Sequence, residues 1–441
     1  MLMKDVLMKE SNLPTHRVAR FGKFASLATR VATNVVTEGS KQWFKGQRPN
    51  MKDLVLTPHN MSHLADQLAQ LRGAAMKLGQ MLSMDAGELI DPDLAEILAR
   101  LRSEANPMPA KQLTQALEDG LGAHWKQNFL AFNFKPVASA SIGQVHHAYA
   151  ENGDSLAIKV QYPGIKESID SDVDNVGTLL NMVGLIPQGV NYSDLLDDAK
   201  QQLHFEADYQ REAEFAERYR QLLAGDSNFV VPKIIRQCSS DSVLSMEYLD
   251  GIAIEDLVGH DQATRDHVMT KLLELLFKEI FEYRLVQTDP NFANYLYLEK
   301  TQQIGLLDFG ATREYDERIC DGYRLAFTAV MRSDNQGLNA ALEQIGFFSE
   351  EIADEQRQSI LNLVSIACEP MLVKGRYNFA TSDLAPRLRD AGAALSLEQG
   401  YWHTPPVEAL FLHRKIAGLY MLAARLGACV DIGELIKTHL E

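Results

Sequence analysis

The sequence predicts an α+β chain in which a small β-containing part precedes a larger helical part. Two observations lead to this prediction. Residues 137–163 hold two short β-prone runs, VASASIGQVHHAYA and SLAIKVQYP, on either side of ENGD, whose Asn-Gly pair is typical of a hairpin turn. Residues 316–441, in contrast, favour helices almost throughout.

The elements between these two regions follow in a clear order. A highly charged helical stretch covers 193–224, and two more β-prone runs follow, VVPKIIRQ and SVLSMEYLDG. A helix is expected from about 255 to 283, with loop and short strand over 284–311. We therefore divide the chain into a basic N-terminal segment at 1–58, a helical extension at 59–125, a β-containing lobe at 126–249 and a helical lobe at 250–441.

Composition excludes several classes of protein. The 441 residues are 46% apolar and 23% charged, which is an ordinary globular mixture. The net charge of −16 argues against a nucleic-acid-binding protein, because such proteins need a basic surface. Four cysteines without CxxC spacing argue against a zinc ribbon or a disulfide framework. No long apolar stretch or secretion signal is apparent, so we expect a cytoplasmic chain without a transmembrane helix.

The N-terminal segment differs in charge from the rest of the chain. Residues 1–53 carry ten Lys or Arg residues and four acidic residues. Apolar residues recur at steps of three and four from Val18 to Val35, with basic residues around them. Such a helix is suited to an anionic membrane surface, such as that of the inner membrane, to which the chain would bind peripherally. A helix docked on its own protein, with solvated charges, is an equally good interpretation.

The extension contains a leucine seam between residues 64 and 82. Lys77 and Gln80 are three residues apart and therefore share one face of this helix. Gly73 and Gly79 interrupt it, each at a cost of about 1 kcal/mol relative to alanine, which indicates close backbone packing. Taken alone, the Lys77/Gln80 pair is more typical of a solvated bundle surface.

A lysine in the second β-prone run is the first candidate for chemistry. Lys159 projects from its strand on the side opposite to Ile158 and Val160. On an inner face, a lysine needs an anionic partner. On an outer face it would be an ordinary exposed lysine, and this is the better interpretation of the strand pattern taken alone.

A second group of candidate residues lies within the helical lobe, after the helix expected at about 255–283. Asp289 and Asn294 lie five residues apart on a segment that Pro290 keeps out of a helix. Asp308 directly follows an apolar strand, and the separation between Asn294 and Asp308 fits one hairpin. Phosphoryl transfer uses such parts: a lysine for the phosphates, an acid for that lysine, Mg²⁺ on Asn and Asp, and an Asp that faces the acceptor.

Taken in their order along the chain, these motifs resemble those of the UbiB/ADCK family of atypical protein-kinase-like proteins. The resemblance extends from residue 13 to about residue 429. The resemblance is carried by Lys77-Leu78-Gly79-Gln80 (the KxGQ motif), the alanine-rich loop at 138–146, Lys159, Glu206-Ala207-Asp208 (the ExD motif), Glu212, QTDPN at 287–291 and DFGATREYD at 308–316.

The resemblance implies a bilobal protein-kinase-like fold with an all-helical N-terminal extension, and Mg-nucleotide held between the two lobes. It implies that Lys159 pairs with Glu212 and contacts the phosphates of ATP. It also implies Asn294 and Asp308 as Mg²⁺ ligands, with Asp289 in the catalytic-loop position. The implied activity is that of an atypical kinase or ATPase that supports ubiquinone biosynthesis on a membrane-associated enzyme complex.

Further residues are assigned on the same basis. The nucleotide-binding set is completed by Ala138, Ser139, Ala140, Ser141, Glu247 and Leu249. The regulatory set, in which the KxGQ helix covers the active site and faces the ExD motif, consists of Lys77, Gln80, Glu206 and Asp208. The implied partners are ATP, ubiquinone-biosynthesis proteins and an anionic membrane, with no nucleic acid.

The sequence also departs from ordinary protein kinases. Ala138 and Ala140 stand where kinases have glycine, which limits positive φ angles and close approach to phosphate. Gln287 and Thr288 replace the usual His-Arg, and no Ala-Pro-Glu follows DFG. Two alternatives therefore stay open: a nucleotide-sensing pseudokinase scaffold and a peripheral membrane lipid-handling protein. Histidines without metal-ligand spacing are interpreted as structural, namely His146, His147, His204 and His413.

Overall fold

The fold was analysed in a computed structural model, which describes residues 68, 73–75, 77–79, 107–182, 192–348, 352–395 and 405–440. The basic segment at 1–58, most of the helical extension and Gln80 lie outside these residues. Within the extension, the described residues 68, 73–75, 77–79 and 110–121 are helical. None of the helices in the described ranges combines the length and apolarity that crossing a bilayer requires.

The strands and helices are numbered in chain order. The strands are β1 Phe129–Phe132, β2 Ala138–Ser139, β3 Gly143–Ala150, β4 Ser155–Gln161, β5 Phe229–Val230, β6 Val243–Glu247, β7 Ile252–Ala253, β8 Leu285–Gln287, β9 Tyr295–Leu298, β10 Gln303–Leu306, β11 Thr312–Glu314, β12 Tyr377–Asn378 and β13 Cys429–Val430. The helices are α1 Ala110–Leu121, α2 Ile165–Met182, α3 Tyr192–Glu206, α4 Tyr209–Leu222, α5 Gln262–Lys278, α6 Glu317–Met331, α7 Asn335–Ile345, α8 Asp354–Ala367, α9 Glu369–Leu372, α10 Leu384–Ala393, α11 Val407–Leu426 and α12 Ile432–Leu440.

The described residues form two compact units. Unit 1 comprises the residues up to Ala213 together with Lys233–Tyr248, and unit 2 comprises Glu214–Pro232 together with the residues from Leu249 onward. Unit 1 holds an antiparallel sheet in the order β1-β3-β4-β6, with β2 paired to β3. Unit 2 is mainly helical, and its strands form small sheets in the orders β5-β10-β9-β7, β8-β11 and β12-β13.

The structure confirms the predicted hairpin. β3 and β4 pair in antiparallel register from Gly143 opposite Gln161 to Tyr149 opposite Ser155. Gly153 in the connecting turn has φ of +88°, a conformation that glycine adopts without steric cost. The charged stretch at 193–224 is helical as expected, but it divides into α3 and α4.

One predicted strand is wrong for most of its length. In VVPKIIRQ only Val230 belongs to a strand, the short β5, and Ile234 forms a single bridge with Met246. Pro232 has no N–H to donate to a ladder, so the run cannot continue as a paired strand. The neighbouring prediction is confirmed, because SVLSMEYLDG contains β6.

Unit 2 supplies a test of pH-dependent stability through His413. The His413 Nε2 lies 2.8 Å from the Tyr323 hydroxyl oxygen, and burial lowers the pKa of the imidazole to about 4. The folded state thus favours the neutral ring, and stability is lost as the pH falls from about 6.5 toward 4. The full shift corresponds to about 3 kcal/mol, which partial exposure of the ring reduces.

We expect His413→Gln to flatten the dependence of unfolding free energy on pH across this window. Urea unfolding at several pH values between 4 and 7 measures the effect. The exposed His267 provides the matched control, His267→Gln. An identical pH profile for wild type and His413→Gln would contradict the interpretation.

Candidate active site

A buried ion pair marks the candidate site in unit 1. The Lys159 Nζ donates to both carboxylate oxygens of Glu212, each at 2.9 Å. The two residues are only 8% and 1% exposed. The Tyr209 ring lies 5.1 Å from the same ammonium and adds a cation–π contact. The strand pattern taken alone favoured an exposed Lys159, but the structure places it on the inner face with an anionic partner.

The ion pair forms because β4 is covered on both sides. Ile158 and Val160 pack into the core on one face, while Lys159 and Gln161 point to the other. The Gln161 Nε2 donates to the carbonyl oxygen of Ala207 at 2.8 Å, which holds the connection between α3 and α4 against this face. Glu212, in the first turn of α4, is thereby brought to Lys159.

The alanine-rich loop has an ordinary backbone. Ala138 and Ser139 form β2, opposite Val145 and Gln144 of β3, and the Ala140 amide donates to the Gly143 carbonyl at 2.9 Å. No residue from 138 to 141 has a positive φ angle. Alanine therefore fits this conformation without strain, and the loop does not use the freedom that glycine would give it.

The ExD glutamate connects this loop to the extension. Glu206 accepts a hydrogen bond from the Ser141 hydroxyl at 2.7 Å and also pairs with the Lys77 ammonium. A Cβ atom placed on Gly73 would lie 3.1 Å from the Ser141 carbonyl oxygen, so helix and loop approach closely. The close backbone packing that was predicted from a glycine at this helical position is therefore confirmed for Gly73.

The other residues assigned to regulation and nucleotide binding have separate surroundings. The Asp208 carboxylate accepts from the Arg211 amide at 3.0 Å and caps the start of α4, whereas Lys77 reaches Glu206. Glu247 pairs with Leu156 at the far end of β4, three residues from Lys159, and its carboxylate accepts from the Lys233 amide. Leu249 belongs to unit 2, where it packs over β10.

Unit 2 brings Asp289, Asn294 and Asp308 together through backbone pairing. β9 and β10 form the predicted hairpin, and the Leu307 amide donates to the Asn294 carbonyl at 3.0 Å. Asn294 and Asp308 therefore leave the same end of the hairpin. The Asn294 Nδ2 in turn donates to the Asp289 carboxylate at 3.1 Å.

The DFG segment is fixed by a second pair of strands and by an aromatic contact. β8 pairs with β11, and the Thr288 hydroxyl donates to the Ala311 carbonyl at 2.7 Å. The Gly310 amide donates to the Asp308 carboxylate at 2.9 Å. Phe309 is buried, with its ring centroid 4.8 Å from that of Tyr219.

A buried acid contacts the end of β8, two residues before Asp289. The Glu279 carboxylate accepts from the Tyr219 hydroxyl at 2.6 Å and from the Gln287 amide at 3.2 Å. Burial raises the pKa of Glu279, and the charge of Lys415 together with these hydrogen bonds opposes the rise. Gln287, in place of the kinase histidine, is thus part of a buried polar network.

The chemistry of the unit 2 residues fits magnesium. Mg²⁺ prefers oxygen ligands and is commonly bound by one or two carboxylates together with substrate phosphates. Asp308 and Asn294 supply a carboxylate and an amide oxygen from the same end of the β9-β10 hairpin. Among the described residues no cluster of three His, Cys, Asp or Glu side chains suits a metal ion, so a metal bound here would depend on further oxygens such as those of phosphate.

Sequence reasoning missed three residues around this site: Tyr219, Glu279 and Lys415. Tyr219 lies seven residues after Glu212 and hence on the same face of α4, which is a usable signal. Lys415 interrupts an apolar helix, FLHRKIAGLYML, and this also signals a buried charge. Nothing in the local pattern distinguishes Glu279 from the other acids of its helix.

Comparisons with known proteins bear on the whole chain. The sequence profile of the ABC1 atypical kinase-like domain matches residues 100–342. Similar relatives include the "Atypical kinase COQ8, mitochondrial" of Schizosaccharomyces pombe, 38% identical over 99% of this chain and 71% of the relative. The protein of the same name in Saccharomyces cerevisiae is 35% identical over 98% and 86%. "Atypical kinase COQ8B, mitochondrial" of Rattus norvegicus is 34% identical over 97% and 81%.

A solved structure supports the fold. "The complex structure of Rv3197-erythromycin from Mycobacterium tuberculosis" matches with a TM-score of 0.59 and 23% identity, over 93% of this chain and 97% of that chain. This match and the domain profile confirm the predicted kinase-like α+β fold. With a domain profile over half of its length and relatives that align nearly end to end, the chain belongs to the ABC1 atypical kinase-like family, the UbiB/ADCK group that its motifs resemble.

Proposed function

We propose that this protein is an ATP-binding atypical kinase or ATPase that supports ubiquinone biosynthesis. The observation that carries the proposal is the grouping of Asp289, Asn294 and Asp308 at one end of the β9-β10 hairpin. The buried Lys159–Glu212 pair and the similarity to COQ8 kinases support it. The connection to ubiquinone comes from the family resemblance and not from the geometry of the site.

The proposed roles follow from the surroundings of each residue. Lys159, kept charged and oriented by Glu212, binds the phosphates of the nucleotide. Asn294 and Asp308 hold Mg²⁺, which neutralises phosphate charge when it is bound. Asp289 orients the acceptor, either a hydroxyl group or water, and accepts its proton. The remaining contacts with the nucleotide are assigned to residues of the alanine-rich loop and to Glu247 and Leu249.

The extension is proposed to restrict the acceptor. Glu206 ties the Ser141 hydroxyl to Lys77, so the alanine-rich loop and the extension helix are linked through one carboxylate. Asp208 caps α4, and Gln80 is assigned to the same regulatory role from its motif alone. A bulky protein acceptor is disfavoured by such an arrangement, whereas water or a small acceptor is not.

A nucleotide-sensing pseudokinase scaffold is the second candidate. It is favoured by the alanine-rich loop, in which the Ala140 amide already donates to the Gly143 carbonyl and no residue from 138 to 141 has a positive φ angle. Peripheral binding to an anionic membrane and a lipid-handling role rest on the basic charge and the apolar periodicity of residues 1–53 and on family analogy. The names of the relatives place those proteins in mitochondria, which does not support the cytoplasmic location expected from the sequence.

Binding of Mg-nucleotide provides the test of this proposal. At a nucleotide concentration about 100 times its Kd, binding stabilises the native state by about 2.7 kcal/mol, which raises Tm by several degrees. We expect Asp308→Asn to abolish the part of this shift that depends on Mg²⁺. The exposed Asp256 gives the matched control, Asp256→Asn, which should keep the full shift.

Thermal melting with nucleotide alone, Mg²⁺ alone and both together separates the two contributions. If wild type shows no shift with any nucleotide, the proposed function is wrong. If Asp308→Asn shows the wild-type shift, Asp308 is not a metal ligand.

A further inference from the structure

A buried lysine on the helix α11 contacts the proposed catalytic segment. Lys415 is 4% exposed and belongs to a helix whose other buried side chains are mostly apolar. Its ammonium donates to the Gln287 Oε1 at 2.9 Å and to the Tyr295 hydroxyl at 2.5 Å. The same ammonium lies 5.2 Å from the centre of the Tyr295 ring. The two residues that it binds flank the segment that contains Asp289 and Asn294.

The next turn of α11 contacts the middle of that segment. Gly418 is three residues after Lys415 and therefore lies on the same face of the helix. A Cβ atom on Gly418 would lie 2.5 Å from the Cβ of Pro290 and 3.2 Å from its Cα. Real Cβ atoms do not approach so closely, so only glycine lets the helix meet Pro290 in this way. One helix face thus touches the segment 287–295 at its start, middle and end.

The charge of Lys415 is stabilised by its surroundings. Burial acts to lower the pKa of Lys415, but Tyr295 and Glu279 outweigh burial and hold the pKa above its usual value. A buried charged network of this kind contributes little net stability compared with packed apolar side chains, and its best-attested use is to fix one arrangement. The arrangement that Lys415 fixes is the path of the segment between Gln287 and Tyr295.

We propose that α11 is a positioning element for the catalytic segment, in which Lys415 and Gly418 hold Asp289 and Asn294 in their working geometry. This proposal rests on the proposed function. Gln287 and Thr288 leave the segment without the arginine that ordinary kinases place before the catalytic Asp. Lys415, which lies more than a hundred residues later in the chain, supplies a cation to the same segment.

Two variants test the proposal by different physical routes. Lys415→Met removes the charge and both hydrogen bonds while it keeps a long apolar side chain. Gly418→Ala keeps every charge and displaces Pro290. Matched controls are Lys278→Met, which breaks a lysine network with Asp226 and Glu274, and Gly392→Ala, whose added Cβ meets no atom within 4 Å.

Turnover of Mg-ATP is the first measurement. We expect both test variants to lower kcat by about 10²-fold, since a shift of about 1 Å in a catalytic group has this effect. KM for Mg-ATP should change less than kcat does, because Lys159, Glu212 and Asp308 are untouched and Asn294 is the one assigned nucleotide or metal contact in the displaced segment. A variant that is only unstable would instead lose active protein and keep the kcat of the folded fraction. Both controls should match wild type in kcat and KM.

Amide hydrogen exchange of the nucleotide-free protein is the second measurement. Both test variants should exchange faster than wild type over 285–298, and both controls should be unchanged there. Faster exchange in a chain whose wild type turns over no ATP would overturn the proposed function but support the positioning role. Wild-type exchange over 285–298 in folded Lys415→Met and Gly418→Ala would overturn the positioning role, whatever their turnover.

Discussion

Glu212→Gln is expected to lower the free energy of unfolding by about 3–5 kcal/mol, the usual cost of removing one partner of a buried ion pair. Lys159, which is 8% exposed, would lose the carboxylate that accepts both of its hydrogen bonds. The remaining contact with the Tyr209 ring contributes about 2 kcal/mol at a buried site and does not replace the lost hydrogen bonds. The loss should therefore exceed that of any surface substitution in the same helix.

Urea unfolding of four proteins measures this effect. The exposed Glu214 lies on the same helix, and Glu214→Gln should stay within about 0.5 kcal/mol of wild type. The double variant Lys159→Met with Glu212→Gln removes both charges, so it should be more stable than Glu212→Gln alone. Equal free energies of unfolding for Glu212→Gln and Glu214→Gln would contradict a stabilising ion pair. So would a double variant that is no more stable than Glu212→Gln alone.

Local patterns were sufficient for the elements that form between neighbours in sequence. The Asn-Gly turn predicted the β3-β4 hairpin, and the spacing of Asn294 and Asp308 predicted the hairpin that joins them. The strand prediction for VVPKIIRQ was wrong because it followed the β-prone composition of the run and neglected Pro232, whose nitrogen cannot donate a hydrogen bond to a neighbouring strand. The strand pattern taken alone favoured an exposed Lys159, and its pairing with Glu212 was implied by the family resemblance.

These local patterns could not predict contacts between residues far apart in the sequence. Lys415 and Gln287 are 128 residues apart, and helical periodicity cannot say which loop a helix face will meet. The same holds for Gly418 and Pro290. Asp208 was grouped with Glu206 by the ExD motif, but helix geometry gave it a capping role that short-range reasoning could have found from its place before α4.

Asp289→Asn is expected to lower the turnover of Mg-ATP by about 10²- to 10⁴-fold, the usual contribution of a positioned general base. The Asp289 carboxylate accepts from the Asn294 side chain at 3.1 Å and from the Asn291 amide at 3.2 Å. Asparagine has the same shape, so these neighbours stay in place, but its amide cannot accept a proton from the acceptor. Binding of Mg-nucleotide should therefore persist while turnover falls.

Asp256→Asn is again the control, and it should turn over Mg-ATP at the wild-type rate. Comparing the proteins with and without anionic vesicles tests the membrane proposal at the same time, since stimulation by vesicles should weaken as salt rises. A wild-type chain that binds Mg-nucleotide but releases no ADP under either condition would be the pseudokinase scaffold.

The most direct test of the central claim is the rate of ADP release from Mg-ATP by wild type and Asp289→Asn, measured at saturating nucleotide with equal amounts of folded protein. The account predicts measurable turnover by wild type and a loss of about 10²-fold or more in the variant. Equal rates for the two proteins would contradict it, because Asp289 would then have no part in phosphoryl transfer.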